Sequence, residues 1–193
     1  MIPRIMSGIA DHVKKVASTL DAKDLELFVD ELIKAERIFL FGAGRSGLVA
    51  KAFAMRLSQL GLRVYVVGET ITPGMRKDGD LFVLVSGSGE TKSVVSAAKV
   101  AHNIGTRIAS ITSYRESSLG QLSDHVVVVK GKTRVDIEKD HLKHQIEGIH
   151  SSLTPMGTLF EDTVLVLLDG VIGDLMNRTK KAEHEMRGRH ANV

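Results

Sequence analysis

Cysteine and tryptophan are missing from the 193 residues, and aromatic residues make up only 4% of them. Without cysteine the chain has no disulfide and no thiol nucleophile, a composition that fits a reducing, cytoplasmic setting. Scarce aromatics leave little to stack on nucleic-acid bases. The formal charge of +3 arises from 26 Lys and Arg against 23 Asp and Glu, mixed along the sequence without a basic block, so nucleic acid is not an expected partner. Long hydrophobic runs are absent too. Arg4, Asp11, Lys14 and Lys15 interrupt the N-terminus before a signal-peptide core can form, and the most apolar later stretch, Leu159 to Met176, is broken by Glu161, Asp162, Asp169 and Asp174. That stretch reads as a buried helix and not as a membrane span, and no membrane partner is expected. The length suits one α/β domain over 1–193: N-terminal helices in 1–36, an αβα core in 37–179 and a charged tail in 180–193.

Apolar positions such as Val13, Val16 and Leu20, then Leu25, Phe28, Val29, Leu32 and Ile33, recur at helical spacing around a break near Asp21. From there strands and helices alternate: strand 37–42, helix 45–60, strand 62–67, a Thr-Pro-Gly loop, strand 80–86, helix 91–104, strand 107–112, a short helix and strand 125–129. Strands 37–41 and 80–85 are apolar without alternation, as parallel strands covered on both faces are. The pattern predicts a five-stranded, doubly wound parallel sheet in a three-layer αβα sandwich. Segment 130–152 shows no clear period, and a last long helix is expected from Thr154 to Asn177, opened by Pro155.

Two loops carry the chemistry: Gly42-Ala43-Gly44-Arg45-Ser46-Gly47 and Ser86-Gly87-Ser88-Gly89-Glu90-Thr91. Each follows a strand and opens a helix, whose first N–H groups lack intrahelical acceptors and point into the loop. Glycines let the backbone approach, and Ser46, Ser86, Ser88 and Thr91 donate hydroxyl hydrogen bonds without a standing positive charge. Together they read as one anion site made for a phosphate. The first loop also matches G-x-G-x-x-G, with Glu69 roughly twenty residues on, the fingerprint of a dinucleotide site. One pyrophosphate does not explain two hydroxyl-rich loops, and neither loop is a Walker motif. The plainer reading of the second loop is a strand-to-helix turn with Ser88 or Thr91 as N-cap, yet a cap needs one hydroxyl and three are present.

Glu161 is the candidate base. Thr158-Leu159-Phe160-Glu161 also fits a capping box, in which the glutamate reaches back to its own helix start, and both readings stay open. His141 and His144 share helical spacing without a carboxylate or cysteine partner, so no metal site is expected. His184 and His190 lie in the tail, where a histidine can pass protons near neutral pH and a tail can close over a site.

These motifs resemble the sugar isomerase (SIS) family, in which Ser-x-Ser-Gly-x-Thr binds a sugar phosphate, here Ser86, Ser88, Gly89 and Thr91. Within it the chain is most similar to the 6-phospho-3-hexuloisomerases, through Gly-Ala-Gly-Arg-Ser-Gly at 42–47, Val-Gly-Glu-Thr at 67–70, Ser-Gly-Ser-Gly-Glu-Thr at 86–91, Pro-Met-Gly-Thr-Leu-Phe-Glu at 155–161 and Arg-His-Ala-Asn at 189–192. The resemblance implies a flavodoxin-like SIS fold and interconversion of D-arabino-hex-3-ulose 6-phosphate with D-fructose 6-phosphate through an enediol, in the ribulose monophosphate pathway of formaldehyde fixation. It implies no cofactor, with Glu161 as base, His184 or His190 as the oxygen acid/base, and Gly44, Arg45, Ser46, Ser86, Ser88, Gly89 and Thr91 on the phosphate and sugar. Surplus apolar positions on the first and last helices point to a homodimer or homotetramer, and a hexulose-phosphate synthase is the functional partner implied. Three alternatives stay open: an isomerase of another phosphosugar, a non-catalytic sugar-phosphate-binding SIS module, and an NAD-dependent oxidoreductase built on the first loop.

Overall fold

The structure, a computed structural model, describes residues 1–131, 157–181 and 186. Two helices, α1 (Ile2–Ala17) and α2 (Ala22–Lys34), precede the sheet. The break between them is the expected one: Asp21 caps α2, its carboxylate accepting the N–H groups of Lys23 and Asp24. Then follow β1 (Arg37–Gly42), α3 (Gly44–Gln59), β2 (Val64–Val66), β3 (Asp80–Val85), α4 (Lys92–Ile104), β4 (Arg107–Thr112), α5 (Ser118–Gln121), β5 (His125–Val128) and α6 (Thr158–Thr179). All pairings are parallel and the strand order is β2-β1-β3-β4-β5. The fold class is therefore the expected doubly wound sheet with helices on both faces.

The second strand is shorter than the sequence suggests. Of 62–67 only Val64–Val66 form the strand, with Arg63 and Val67 each adding one backbone bond to β1 at its ends. The last helix is described from Thr158, two residues longer at its far end than expected; Thr154 and Pro155, its expected start, lie outside the described residues, as does segment 132–152. Among the described residues no helix is long and apolar enough to cross a membrane.

Alternate side chains of the buried strands feed two cores. Ile38, Leu40, Leu81, Val83 and Val85 pack with Phe28 and Leu32 of α2, Phe53 and Leu57 of α3, and Phe160, Val164 and Leu168 of α6. On the other face Phe39, Phe82, Leu84 and Ile108 meet Val94, Ala98 and Ala101 of α4 and Leu119 of α5. Met186, in the tail segment, is buried in the first of these cores. Gly105, at φ +82°, ends α4 in the left-handed conformation that lets the chain turn directly into β4.

One buried charge sits in this sheet. Asp80 opens β3 opposite Arg37 of β1, and its side chain has no exposed surface. It accepts Arg37 Nε at 2.8 Å and Nη2 at 2.6 Å, and the Arg76 backbone N–H at 2.6 Å. The Arg37 guanidinium also stacks 5.2 Å from the Phe39 ring. Burial alone raises the Asp80 carboxyl; the bonds from Arg37 and the Arg76 N–H, with both guanidinium charges, outweigh it and hold the carboxyl below its ordinary value.

A carboxyl depressed in the folded state stabilises it at every pH above the unfolded value of about 4, and that stability is lost as pH falls through the lower native value. Asp80→Ala leaves Arg37 unpaired in a mostly buried position, and should lower the melting temperature near neutral pH by roughly 10 °C. Thermal unfolding followed by circular dichroism checks it, and the difference from wild type should shrink toward pH 2 to 3.

Candidate functional site

The strand order reverses between β1 and β3, the place where open α/β sheets bind ligands beyond their carboxyl ends. Gly42 pairs with Val85 across these strands, so both loops leave the sheet side by side.

In the first loop the glycines do different work. A Cβ on Gly42 would lie 2.9 Å from the backbone of Ser46 and Gly47, and one on Gly47 only 2.6 Å from the Gly42 oxygen. Both allow β1 and α3 to close on each other. Gly44 has open space around it but sits at φ +58°, which turns the chain into α3. No side chain caps α3, so its first N–H groups face the loop. Ser46, in that first turn, is buried, and its hydroxyl has no hydrogen-bond partner among the described residues.

The second loop is tightly bonded within itself. Ser86 Oγ lies 3.1 Å from Thr91 Oγ1 and accepts the Gly89 N–H at 3.2 Å, while Ser88 Oγ accepts the Glu90 N–H at 3.2 Å. Thr91 holds the N-cap position of α4, yet its side chain makes no capping bond. The N-cap reading of Thr91 is thereby corrected: its hydroxyl is turned to Ser86, and the first N–H groups of α4 are left uncapped by side chains. Gly89, at φ +66°, presses against the next connection, where a Cβ would fall 2.0 Å from Ser117 Oγ.

Both loops meet the start of α6 through consecutive residues. A Cβ on Gly87 would touch the Phe160 ring at 3.0 Å. Arg45 Nε donates to Glu161 Oε2 at 2.5 Å, and Arg45 Nη2 to Asp162 Oδ1 at 3.1 Å. Arg45 is largely exposed, and the Glu161 side chain is 14% exposed. The hydrogen bond to Glu161, against the opposing effect of burial and with the charges of Glu161 and Asp162 added, raises the guanidinium above its already high value. Arg45 therefore stays a cation at any working pH and cannot itself donate a proton.

The capping-box reading of Glu161 does not hold. Gly157, and not Thr158, is the N-cap, no side chain caps this end, and the Glu161 N–H makes an ordinary helical bond to the Gly157 oxygen at 3.0 Å. Its carboxylate turns to the first loop, still within the helix's first turn, where the dipole favours negative charge. Asp162 and Phe160 were not picked out by sequence reasoning. Asp162 is visible as the second half of an acidic pair, but only the fold brings Arg45 to it.

Glu69 lines a cleft of about 310 Å³ beside the first loop, with Gly42, Gly44, Gly47, Lys51 and Gly68. Lys51, from α3, donates to the Glu69 carboxylate at 2.7 Å. Both side chains of this pair are more than half exposed. His184 and His190, and the loop histidines His141, His144 and His150, lie outside the described residues.

The SIS domain model matches residues 31–139, which contain both loops. A 3-hexulose-6-phosphate isomerase of Methanocaldococcus jannaschii is 41% identical over 88% of this chain and 83% of its own length. One from Bacillus subtilis is 36% identical over 97% of this chain and 96% of its own length. A crystal structure of a Methanococcus jannaschii protein, described as inferring the function of 3-hexulose-6-phosphate isomerase, superposes with a TM-score of 0.76 at 37% identity, covering 98% of this chain and 97% of its own.

The two glycine roles separate in denaturation. Gly47→Ala should lower unfolding free energy by about 3 kcal/mol or more, because the added methyl meets backbone that cannot move alone. Gly44→Ala should lower it by about 1 kcal/mol, the penalty of a left-handed alanine in open space. Urea titration of both variants checks the order.

Proposed function

The chain belongs to the SIS domain family, and from that premise we propose that it interconverts D-arabino-hex-3-ulose 6-phosphate and D-fructose 6-phosphate. Relatives that carry the isomerase name over nearly their whole length support a phosphosugar isomerase. The observation that carries the reading is the meeting of both loops with Phe160 and Glu161 at one helix start. It joins hydroxyls and free helix N–H groups suited to a phosphate with a carboxylate suited to proton abstraction.

On this reading 1–193 acts as one SIS domain. Ser46, Ser86, Ser88 and Thr91, with the backbone at Gly44 and Gly89, hold the phosphate, so that binding energy remote from the reacting carbons positions them. Glu161 removes the proton from C2 of the hexulose, and electrons move to the C3 carbonyl oxygen, giving a 2,3-enediolate. The proton returns at C3 while the O2 proton is passed to O3 through the oxygen-side acid/base, leaving the C2 carbonyl and C3 hydroxyl of fructose 6-phosphate. No electron acceptor is consumed, so the chemistry requires no redox cofactor. Arg45 steadies Glu161 and offers a permanent positive charge to the enediolate. His184 or His190 serves the oxygens, in the same subunit or a neighbouring one.

We also propose a cytoplasmic homodimer or homotetramer, supported by an apolar cleft where Met6, Ile9, Val13 and Ala17 of α1 meet Val166 of α6, with Met6 and Val166 exposed. Its metabolic neighbour is a synthase that makes the hexulose phosphate from formaldehyde and ribulose 5-phosphate, the first half of the ribulose monophosphate pathway.

Purified protein should form fructose 6-phosphate from hexulose phosphate generated in place by such a synthase, with turnover unchanged by a chelator and without nicotinamide. Glu161→Gln should lower kcat by about a thousandfold or more while fructose 6-phosphate binds within about threefold of wild type. Near-normal turnover in that variant removes Glu161 from the role of base. Ser88→Ala with Thr91→Ala should raise KM at least about tenfold, and an unchanged KM overturns the phosphate assignment.

A further inference from the structure

The second loop contains a feature that its hydroxyls do not explain: a glutamate in the middle of a site built for an anion. A carboxylate beside a bound phosphate repels it. Glu90 stands between Gly89 and Thr91, at a position that Ser-x-Ser-Gly-x-Thr leaves unspecified.

Both carboxylate oxygens of Glu90 are spent elsewhere. Oε1 accepts the Ser118 backbone N–H at 2.7 Å and Oε2 accepts the Ser118 Oγ–H at 2.6 Å. Ser118 is the first residue of α5, so its N–H has no acceptor within the helix. Two donors from a single residue fix the plane of the carboxylate as well as its position. The backbone of Glu90 is held as well, by its N–H on Ser88 Oγ.

The same connection grips the loop at two other points. The Leu119 N–H donates to the Gly89 oxygen at 3.0 Å. The Ser113 N–H donates to the Gly87 oxygen at 3.0 Å, and Thr112 Oγ1 to the same oxygen at 3.3 Å. Residues 87, 89 and 90 are thus tied to the β4–α5 connection. Residues 86, 88 and 91 carry the hydroxyls. Glu90 directly precedes the Thr91 hydroxyl and its N–H is bonded to Ser88 Oγ, so freeing this anchor loosens two of the three hydroxyls. Glu90 is the one anchor made by a side chain of the loop itself, and so the one a substitution can remove without touching backbone.

We propose that Glu90 is a positioning residue for phosphate recognition: its clasp on Ser118 holds the second loop in the shape that receives the phosphate and turns its own charge away. This deepens the isomerase reading and rests on it. Preorganisation of this kind acts on binding of the phosphorylated substrate and leaves the proton transfers at the sugar carbons unchanged.

The test uses the full chain, with steady-state kinetics and calorimetric titration of fructose 6-phosphate on wild type, Glu90→Ala, Glu90→Gln and Ser118→Ala. Glu90→Ala should raise KM about tenfold with kcat within about twofold of wild type, the loss of a charge-assisted clasp. Glu90→Gln should restore KM to within about threefold, since its amide oxygen can accept the Ser118 N–H and its amide nitrogen can donate to Ser118 Oγ. Ser118→Ala, which keeps the backbone donor, should raise KM about threefold and guards against a Glu90 variant that does not fold. The proposal is overturned by a KM unchanged in all three variants. It is equally overturned by a KM that falls in both Glu90 variants, which would make Glu90 only a repelling charge, or by a loss confined to kcat. Wild-type protein that neither binds nor converts the sugar phosphate overturns the isomerase reading and this inference together, whereas an active wild type matched by its variants overturns the inference alone.

Discussion

Everything at the site depends on the register between β1 and β3. In a strand with one wet face, hydrophobic alternation sets register, because a slip of one residue turns the apolar set outward. Here both faces are covered: all six residues of β3 are buried and five of them are apolar. Leu81, Phe82, Val83, Leu84 and Val85 would satisfy either face almost equally, so alternation says little about which residue belongs opposite which. Asp80 supplies the missing information. Opposite Arg37 it receives two guanidinium bonds from the neighbouring strand, which add to the local Arg76 N–H; one position away, a buried carboxylate would lose the two from Arg37. A buried pair is a poor source of net stability but a strong penalty against the wrong arrangement, and that asymmetry makes it a register device.

Five positions farther along, the same register delivers Gly42 beside Val85, and with them the two loops. A third element brings a carboxylate to the two loops. It is α6, which arrives with Phe160 against Gly87 and Glu161 on Arg45. The apolar contact and the charged one are adjacent in sequence, so packing of the Phe160 ring, 1% exposed, fixes where the next carboxylate stands. Gly131 belongs to the same fit, since a Cβ there would lie 2.7 Å from Phe160. Core packing and site geometry are one arrangement at this point.

Much of this was legible in the sequence. Element order, parallel pairing and the two loops follow from apolar runs that end in glycine and serine, and those runs differ from helices in length and in flanking residues. The edge strand was overestimated because Leu62 and Val67 look like strand residues, while pairing depends on a neighbour that the sequence does not display. Glu161 was equally legible as base or cap. What removes the cap reading, a helix capped at Gly157 with Arg45 within reach of the carboxylate, involves a residue more than a hundred positions away. The roles of Asp162, Ser118 and the Lys51–Glu69 pair were hidden for the same reason: each acquires its meaning from a partner delivered by the fold. Local chemistry is written in short motifs, whereas which charge meets which is decided by tertiary structure.

That distinction bears on how protons move in the proposed reaction. Isomerisation needs one group to shuttle a proton between neighbouring carbons and another to exchange protons among the oxygens. Arg45 donates to Glu161, and this bond holds its guanidinium further above its already high value, so in the proposed reaction it contributes charge and direction only. Ser86, Ser88 and Thr91 are engaged in bonds within their own loop. On the proposed reading the oxygen-side role falls to a group that titrates near neutral pH, the property for which the tail histidines His184 and His190 were singled out. Met186 is buried in the core that also holds Phe160, the residue before the proposed base.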